Sequence, residues 1–153
     1  DFRAGARAFS LCVRLRQAAG VKLVVQTRNP QHAAVKSVAA MSTEKFYQQE
    51  LKQRRELNLP PYVQMIALAL RGAKEEEVLA QAQELYDRLN GISAKNFEIS
   101  LPQPDLIPKL RDKFRFTIML KGKAVKSILK VIATVMIDFS KRKGVILTID
   151  VTP

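Results

Sequence analysis

Residues 46–62, FYQQELKQRRELNLPPY, set the tightest limit on how this chain can fold. Phe46, Glu50, Leu51, Arg54, Arg55 and Leu57 recur at helical spacing and predict an amphipathic helix. Pro60 and Pro61 forbid its continuation, because proline lacks the amide N–H and its ring collides with the preceding turn. Tyr62 then opens an apolar run. A helix that stops hard and hands over to a strand divides the chain into residues 1–58 and 59–153.

The second part is regular. Tyr62–Arg71 reads as a strand and Gly72-Ala73 as a turn. Lys74–Leu89 reads as a helix whose first turn carries Glu75, Glu76 and Glu77, where carboxylates favour the positive end of the helix dipole. Phe97–Leu101 is a short strand, and residues 102–108, with three prolines, are expected to be loop. Lys113–Lys121 is a strand, Ala124–Phe139 a helix and Val145–Val151 a last strand. The order β-α-β-β-α-β predicts an α+β, ferredoxin-like two-layer sandwich.

Residues 1–58 predict a different arrangement. A helix over 2–19 places Phe2, Ala6, Phe9 and Val13 on one side and stops at Gly20. Val21–Thr27 is β-branched and reads as a strand. A turn at Asn29-Pro30, a short helix over 31–40 and a helix over Thr43–Leu57 with Ser42 as N-cap follow. One strand with no partner sheet implies that this segment completes a neighbouring domain or clamps onto the second part. The chain also opens without an initiator Met, so a piece of a larger protein is expected.

Charge narrows the partners. Lys and Arg number 26 against 14 Asp and Glu, a formal net charge of +12. Such a balance points to a polyanion: DNA, RNA, an anionic membrane or an acidic protein tail. No apolar run reaches membrane-spanning length, and Cys12 is the single cysteine, so no internal disulfide or cysteine-built zinc site is possible within these residues. A cytoplasmic, monomeric protein is expected. The charge is also uneven. Residues 74–105 carry three cations against seven carboxylates, and residues 109–143 eleven against two, so one acidic and one strongly basic side are expected.

The strand over 113–121 alternates. Phe114, Phe116, Ile118 and Leu120 share one face, and Lys113, Arg115, Thr117, Met119 and Lys121 the other. With the apolar face under the helices, Lys113, Arg115 and Lys121 stand on the open face, and Lys109 and Arg111 extend the patch. A nucleic-acid backbone laid there gains phosphate contacts without base readout, since stacking aromatics are scarce. The plainer reading is a solvated face with Arg115 paired to Asp150. Lys126 and Lys130 stand on the last helix with Lys123 just ahead of it, and Lys141, Arg142 and Lys143 follow its end; the group either caps that helix end electrostatically or docks an acidic peptide. His32 reads as a surface or capping residue and Cys12 as a small packing residue. No catalytic constellation is assembled.

The residues carry a resemblance beyond their spacing. Phe46-Tyr47-x-x-Glu50-Leu51-x-x-Arg54-Arg55-x-Leu57-x-x-Pro60-Pro61-Tyr62 resembles the junction before the C-terminal domain in the primosomal protein N-prime family of bacterial replication-restart helicases. Asp1-Phe2-Arg3 and Val24-Val25-Gln26-Thr27-x-Asn29-Pro30-x-His32 resemble the end of that family's second helicase lobe. Pro108-x-x-Arg111-x-Lys113-Phe114-Arg115-Phe116 resembles its basic-aromatic strand, and Ile149-Asp150-Val151-x-Pro153 its terminus. The resemblance implies a ribosomal S10-like C-terminal domain, preceded by a helicase-lobe remnant, in a 3′-to-5′ DNA helicase that acts on forks and single strands. It implies contacts with single-stranded-DNA-binding protein and other primosome proteins. The implied cofactors of the parent, ATP, magnesium and zinc, belong outside this fragment, which is expected to be non-catalytic. Arg54, Arg55 and Tyr62 are implied to sit between domains, with the alternative that Arg54 and Arg55 extend the basic surface towards the fork.

Two departures stand out. The family's Gln-x-x-Gly-Arg-x-Gly-Arg motif is not matched; Gln17-Ala18-Ala19-Gly20 echoes only its start. Val125 stands near where a basic residue of the last helix is expected, flanked by Lys123 and Lys126. A protein-interaction module docking an acidic tail and a ribosomal-type RNA-binding domain are the alternative functions.

Overall fold

The computed structural model describes residues 3–20, 22–92, 96–139 and 142–152. Asp1, Phe2, Val21, Lys95, Lys141 and Pro153, to which expectations above attach, lie outside these residues. The chain divides into two compact units, Asp1–Leu59 and Pro60–Pro153.

The first unit holds α1 (Ala4–Ala19), α2 (Ala33–Ala39) and α3 (Thr43–Glu56). Gly20 closes α1 at φ 68°, a conformation glycine adopts without a Cβ penalty. His32 caps α2, its Nδ1 accepting the Ala34 N–H at 3.2 Å, and Ser42 Oγ accepts the Lys45 N–H at 3.4 Å to start α3. The end of α3 comes before the prolines. Asn58 takes φ 47°, the Leu59 N–H reaches Arg54 O at 2.8 Å and the Asn58 N–H reaches Arg55 O at 3.3 Å. This Schellman closure stops the helix at Glu56, so the prolines only follow a stop already made.

Residues 22–27 are not a strand. Among the described residues of this unit their β-branched composition has no neighbouring strand to pair with, and a strand is held by cross-strand pairing more than by propensity. Phe9, Ala34, Val38 and Phe46 form the buried cluster here, with Ala6, Cys12 and Val13 against it. The Phe9 and Phe46 rings stack at 4.0 Å, and Tyr47 meets Phe46 edge-on at 5.6 Å.

The second unit runs β1 (Gln64–Gly72), α4 (Glu75–Asn90), β2 (Phe97–Ile99), β3 (Gln103–Leu110), β4 (Lys113–Gly122), α5 (Val125–Ile137) and β5 (Ile146–Thr152). Its sheet is antiparallel in the order β2-β4-β1-β5, with β3 also paired to β4. The fold is α+β. The core repeats itself at an offset of 50 residues: Ile66 and Phe116, Leu68 and Ile118, Leu70 and Leu120, Val78 and Ile128, Ala82 and Ile132 are all buried. Gly72 and Gly122 occupy matching strand ends. A Cβ on Gly72 would come within 2.8 Å of Val78 Cγ2, and one on Gly122 within 2.9 Å of Ile128 Cδ1. Glycine therefore lets each helix close over the end of its strand.

Residues 102–108, expected as loop, largely belong to β3. β3 pairs only with β4, and an edge strand tolerates proline because one side of its ladder carries no bonds. The irregularity of the prolines survives as a register shift between Pro104 and Lys109. Two polar anchors fix the far end of the sandwich. The buried Gln81 Oε1 accepts the Arg142 N–H at 2.8 Å. Arg88 donates to Asp138 O at 3.0 Å and to Glu84 at 2.8 Å, with its guanidinium 5.5 Å from the Phe139 ring centroid.

Candidate functional site

β4 separates its side chains as the alternation predicts. Phe116, Ile118 and Leu120 enter the core on the face covered by α4 and α5. Lys113, Arg115, Thr117, Met119 and Lys121 take the other face. The register then decides which charges become neighbours. Arg115 lies directly opposite Arg71 of β1, and Lys121 opposite Glu98 of β2. Arg71 was not singled out by the sequence; its alternation with Leu70 would have put it on this face, but only the pairing sets it beside Arg115.

Three expectations are corrected. Lys109 does not extend the patch. The tight turn between β3 and β4 pairs Leu110 with Lys113 and Lys109 with Phe114, so Lys109 shares Phe114's face. Its ammonium lies 5.0 Å from that ring centroid and 3.9 Å from Asp112 Oδ1. Arg115 does not pair with Asp150. Asp150 sits opposite Ala67, which faces Met119, so it is four residues along β4 and two strands across from Arg115. That is roughly 13 Å along and 10 Å across the sheet. Asp105 takes its place, with Oδ2 3.8 Å from Arg115 Nη1. Finally, acidic and basic sides are not fully segregated, because Glu98 and Asp105 border the basic face.

Arg111 and Asp112 form the hairpin tip, at φ 51° and 57°. A two-residue hairpin turn of this hand suits Asn-Gly and strains residues with larger side chains. Arg111→Asn with Asp112→Gly is expected to stabilise the protein by about 1 kcal/mol in urea unfolding, while removing one cation from the face. Unchanged or lowered stability would show that the turn is not under strain.

The α5 cations form a separate group. Lys126 and Lys130 are exposed while Ile128 and Ile132 are buried beneath them, so with Lys123 they lie on the helix layer, away from Lys113 and Arg115. Glu77, bonded to Lys74 at 2.9 Å, raises that lysine's pKa above its ordinary value. Arg54 donates from Nε and Nη2 to Glu50 Oε1 at 2.9 and 2.8 Å; Arg55 is exposed and Tyr62 half-buried.

The first unit also holds an open cleft of about 900 Å³ beside Phe9, Val13, Arg16, Val25 and Val38. Among the described residues its lining offers no carboxylate, histidine or cysteine, and Arg16 is turned to Val38 O at 2.7 Å. Among the described residues, no group of three or more His, Cys, Asp or Glu side chains could hold a metal ion. Among them, too, no helix is long and apolar enough to cross a membrane.

Comparison with known proteins adds a family. Residues 55–153 match the family described as Primosomal protein N C-terminal domain. The whole chain aligns with replication restart protein PriA of Treponema pallidum, 28% identical over 158 residues and covering 24% of that protein. Against PriA of Synechocystis it is 30% identical over 126 residues, 79% of this chain and 15% of the relative. Against PriA of Bacillus subtilis it is 22% identical over 161 residues, all of this chain and 20% of the relative. The chain thus spans about a quarter or less of the length of these curated relatives.

Proposed function

Because the chain belongs to the Primosomal protein N C-terminal domain family, we propose that it is the C-terminal part of a replication restart protein and binds DNA by its phosphate backbone. The strip Arg111, Lys113, Arg115 and Lys121, joined by Arg71, carries the contact; Lys109 stands on the opposite face and contributes only to the field. The observation behind this reading is the alternation of β4, which sorts its cations from its core residues. The sheet order β2-β4-β1-β5 supports a ferredoxin-like, ribosomal S10-like domain. Arg54, Arg55 and Tyr62 flank the Leu59–Pro60 boundary in sequence. The parent is read as an ATP-dependent helicase of the primosome.

Fluorescence anisotropy with single-stranded and forked oligonucleotides tests the reading. Three to five phosphate contacts give a slope of log affinity against log salt of about −2 to −4. Affinity that does not fall with salt would sink it.

A second reading applies to a different surface. Lys123, Lys126 and Lys130 suit the acidic tail of single-stranded-DNA-binding protein, because Lys126 and Lys130 are exposed on α5 and Lys123 is exposed just ahead of it. NMR titration with an acidic tail peptide should then move amides 123–130 and leave those of β4 still.

A further inference from the structure

Arg115 sits between opposite pulls in one row of the sheet. On β1 its direct partner is Arg71. On the β3 side, one residue beyond the Pro104–Phe116 pair, stands Asp105. The Asp105 Oδ2 lies 3.8 Å from Arg115 Nη1, while its Oδ1 accepts the Leu106 N–H at 2.7 Å. The ladder partners of Arg71 are Arg115 and Ile146, so no carboxylate faces it across either neighbouring strand. Arg115 Nε is buried without a hydrogen-bond partner. Like charges set directly opposite one another in a sheet repel, and a single carboxylate at the outer limit of ion-pair range does not balance two guanidiniums.

What completes such a pair is an oxyanion that takes several donors at once. Two guanidinium forks present planar sets of N–H groups that match phosphate oxygens bidentately. We propose that Arg71 and Arg115 form a phosphodiester clamp and that Asp105 is its internal stand-in, displaced when a nucleic-acid strand crosses the sheet. This deepens the DNA-binding reading above and rests on it. Asp105 consequently sets the affinity: it keeps Arg115 occupied between encounters and is the one charge a phosphate must outcompete. Lys113, next on the same face, extends the path towards the hairpin tip at Arg111.

Binding of a labelled oligo-dT, which offers phosphates without base readout, is measured for the full chain and three variants. Asp105→Asn removes the competing charge and keeps the oxygen that accepts from Leu106. Asp150→Asn adds the same charge to the same face, far from Arg115. Arg71→Gln removes half of the clamp. At low salt, Asp105→Asn is expected to bind about three-fold tighter than the native chain, and Asp150→Asn to change much less. Arg71→Gln is expected to weaken binding and to flatten the salt slope by about 0.7. The Arg115 Nε–H resonance is expected to shift on binding in the native chain.

Equal tightening by Asp105→Asn and Asp150→Asn would overturn the clamp, since only net charge would be at work. Salt-dependent binding of one strength in all four proteins would overturn it too, while the broader basic-face reading stands. A native chain that fails to bind oligo-dT at low salt would overturn that broader reading first. Oligoglutamate responding to both Asp105→Asn and Arg71→Gln as the DNA does would assign the pair to a protein carboxylate and overturn the phosphate assignment.

Discussion

Replacing Lys113 and Arg115 together by glutamate is expected to lower DNA affinity on the order of 100-fold at about 50 mM salt. Each lost phosphate contact removes one term of counterion release, and reversal adds repulsion. The salt slope should flatten by about 1.4 to 1.8 units for the two contacts. Arg115 is the more sensitive position, because a carboxylate there would face Asp105, now 3.8 Å from the guanidinium. The glutamine pair Lys113→Gln with Arg115→Gln avoids that repulsion and should show a smaller loss with the same change in slope. Affinity equal to that of the native chain in both pairs, with unchanged melting, would remove β4 from the interface. Anisotropy across a salt series measures both quantities.

Leu120→Ala is expected to cost the second unit about 2 to 5 kcal/mol. Leu120 is fully buried and stands in the ladder between Ile66 of β1 and Ile99 of β2, so truncation leaves a cavity that neither strand can fill without breaking register. For a domain of this size each kcal/mol moves the melting temperature by roughly 4 to 8 °C, so a fall of about 10 °C or more is expected. Leu106→Ala is the contrasting case. Leu106 is 89% exposed on β3, and its removal should change stability by less than about 0.5 kcal/mol. Hydrogen exchange of β4 amides, which reports the sheet separately from the helical first unit, distinguishes the two. Similar exchange in both variants would show that the β4 centre is not the core of this unit.

Much of the architecture was legible from local pattern. The alternation over 113–121 put Phe116, Ile118 and Leu120 inside and Lys113, Arg115 and Lys121 on the other face, because a strand's side chains must alternate whatever it pairs with. Five helices were placed to within a few residues, and Gly20, Ser42 and His32 took terminal or capping roles, because capping is a short-range exchange of hydrogen bonds. The residues of 46–62 also carry the resemblance to the family that residues 55–153 match.

What local pattern could not supply was partnership. Val24 and Val25 have strand composition, yet residues 22–27 make no strand, because among the described residues no second strand lies within their unit to accept the pairing. Pro104 and Pro108, with Pro102 just ahead, hid β3, because only its position at an edge makes prolines tolerable there. Lys109 changed face through the register of a two-residue turn, and Arg115 gained Asp105 and Arg71 in place of Asp150. By itself, then, the sequence determined which face each β4 side chain takes, because that depends on the backbone of one strand. Only the tertiary structure decided which charge stands beside which, because register is a property of strands drawn from distant parts of the chain.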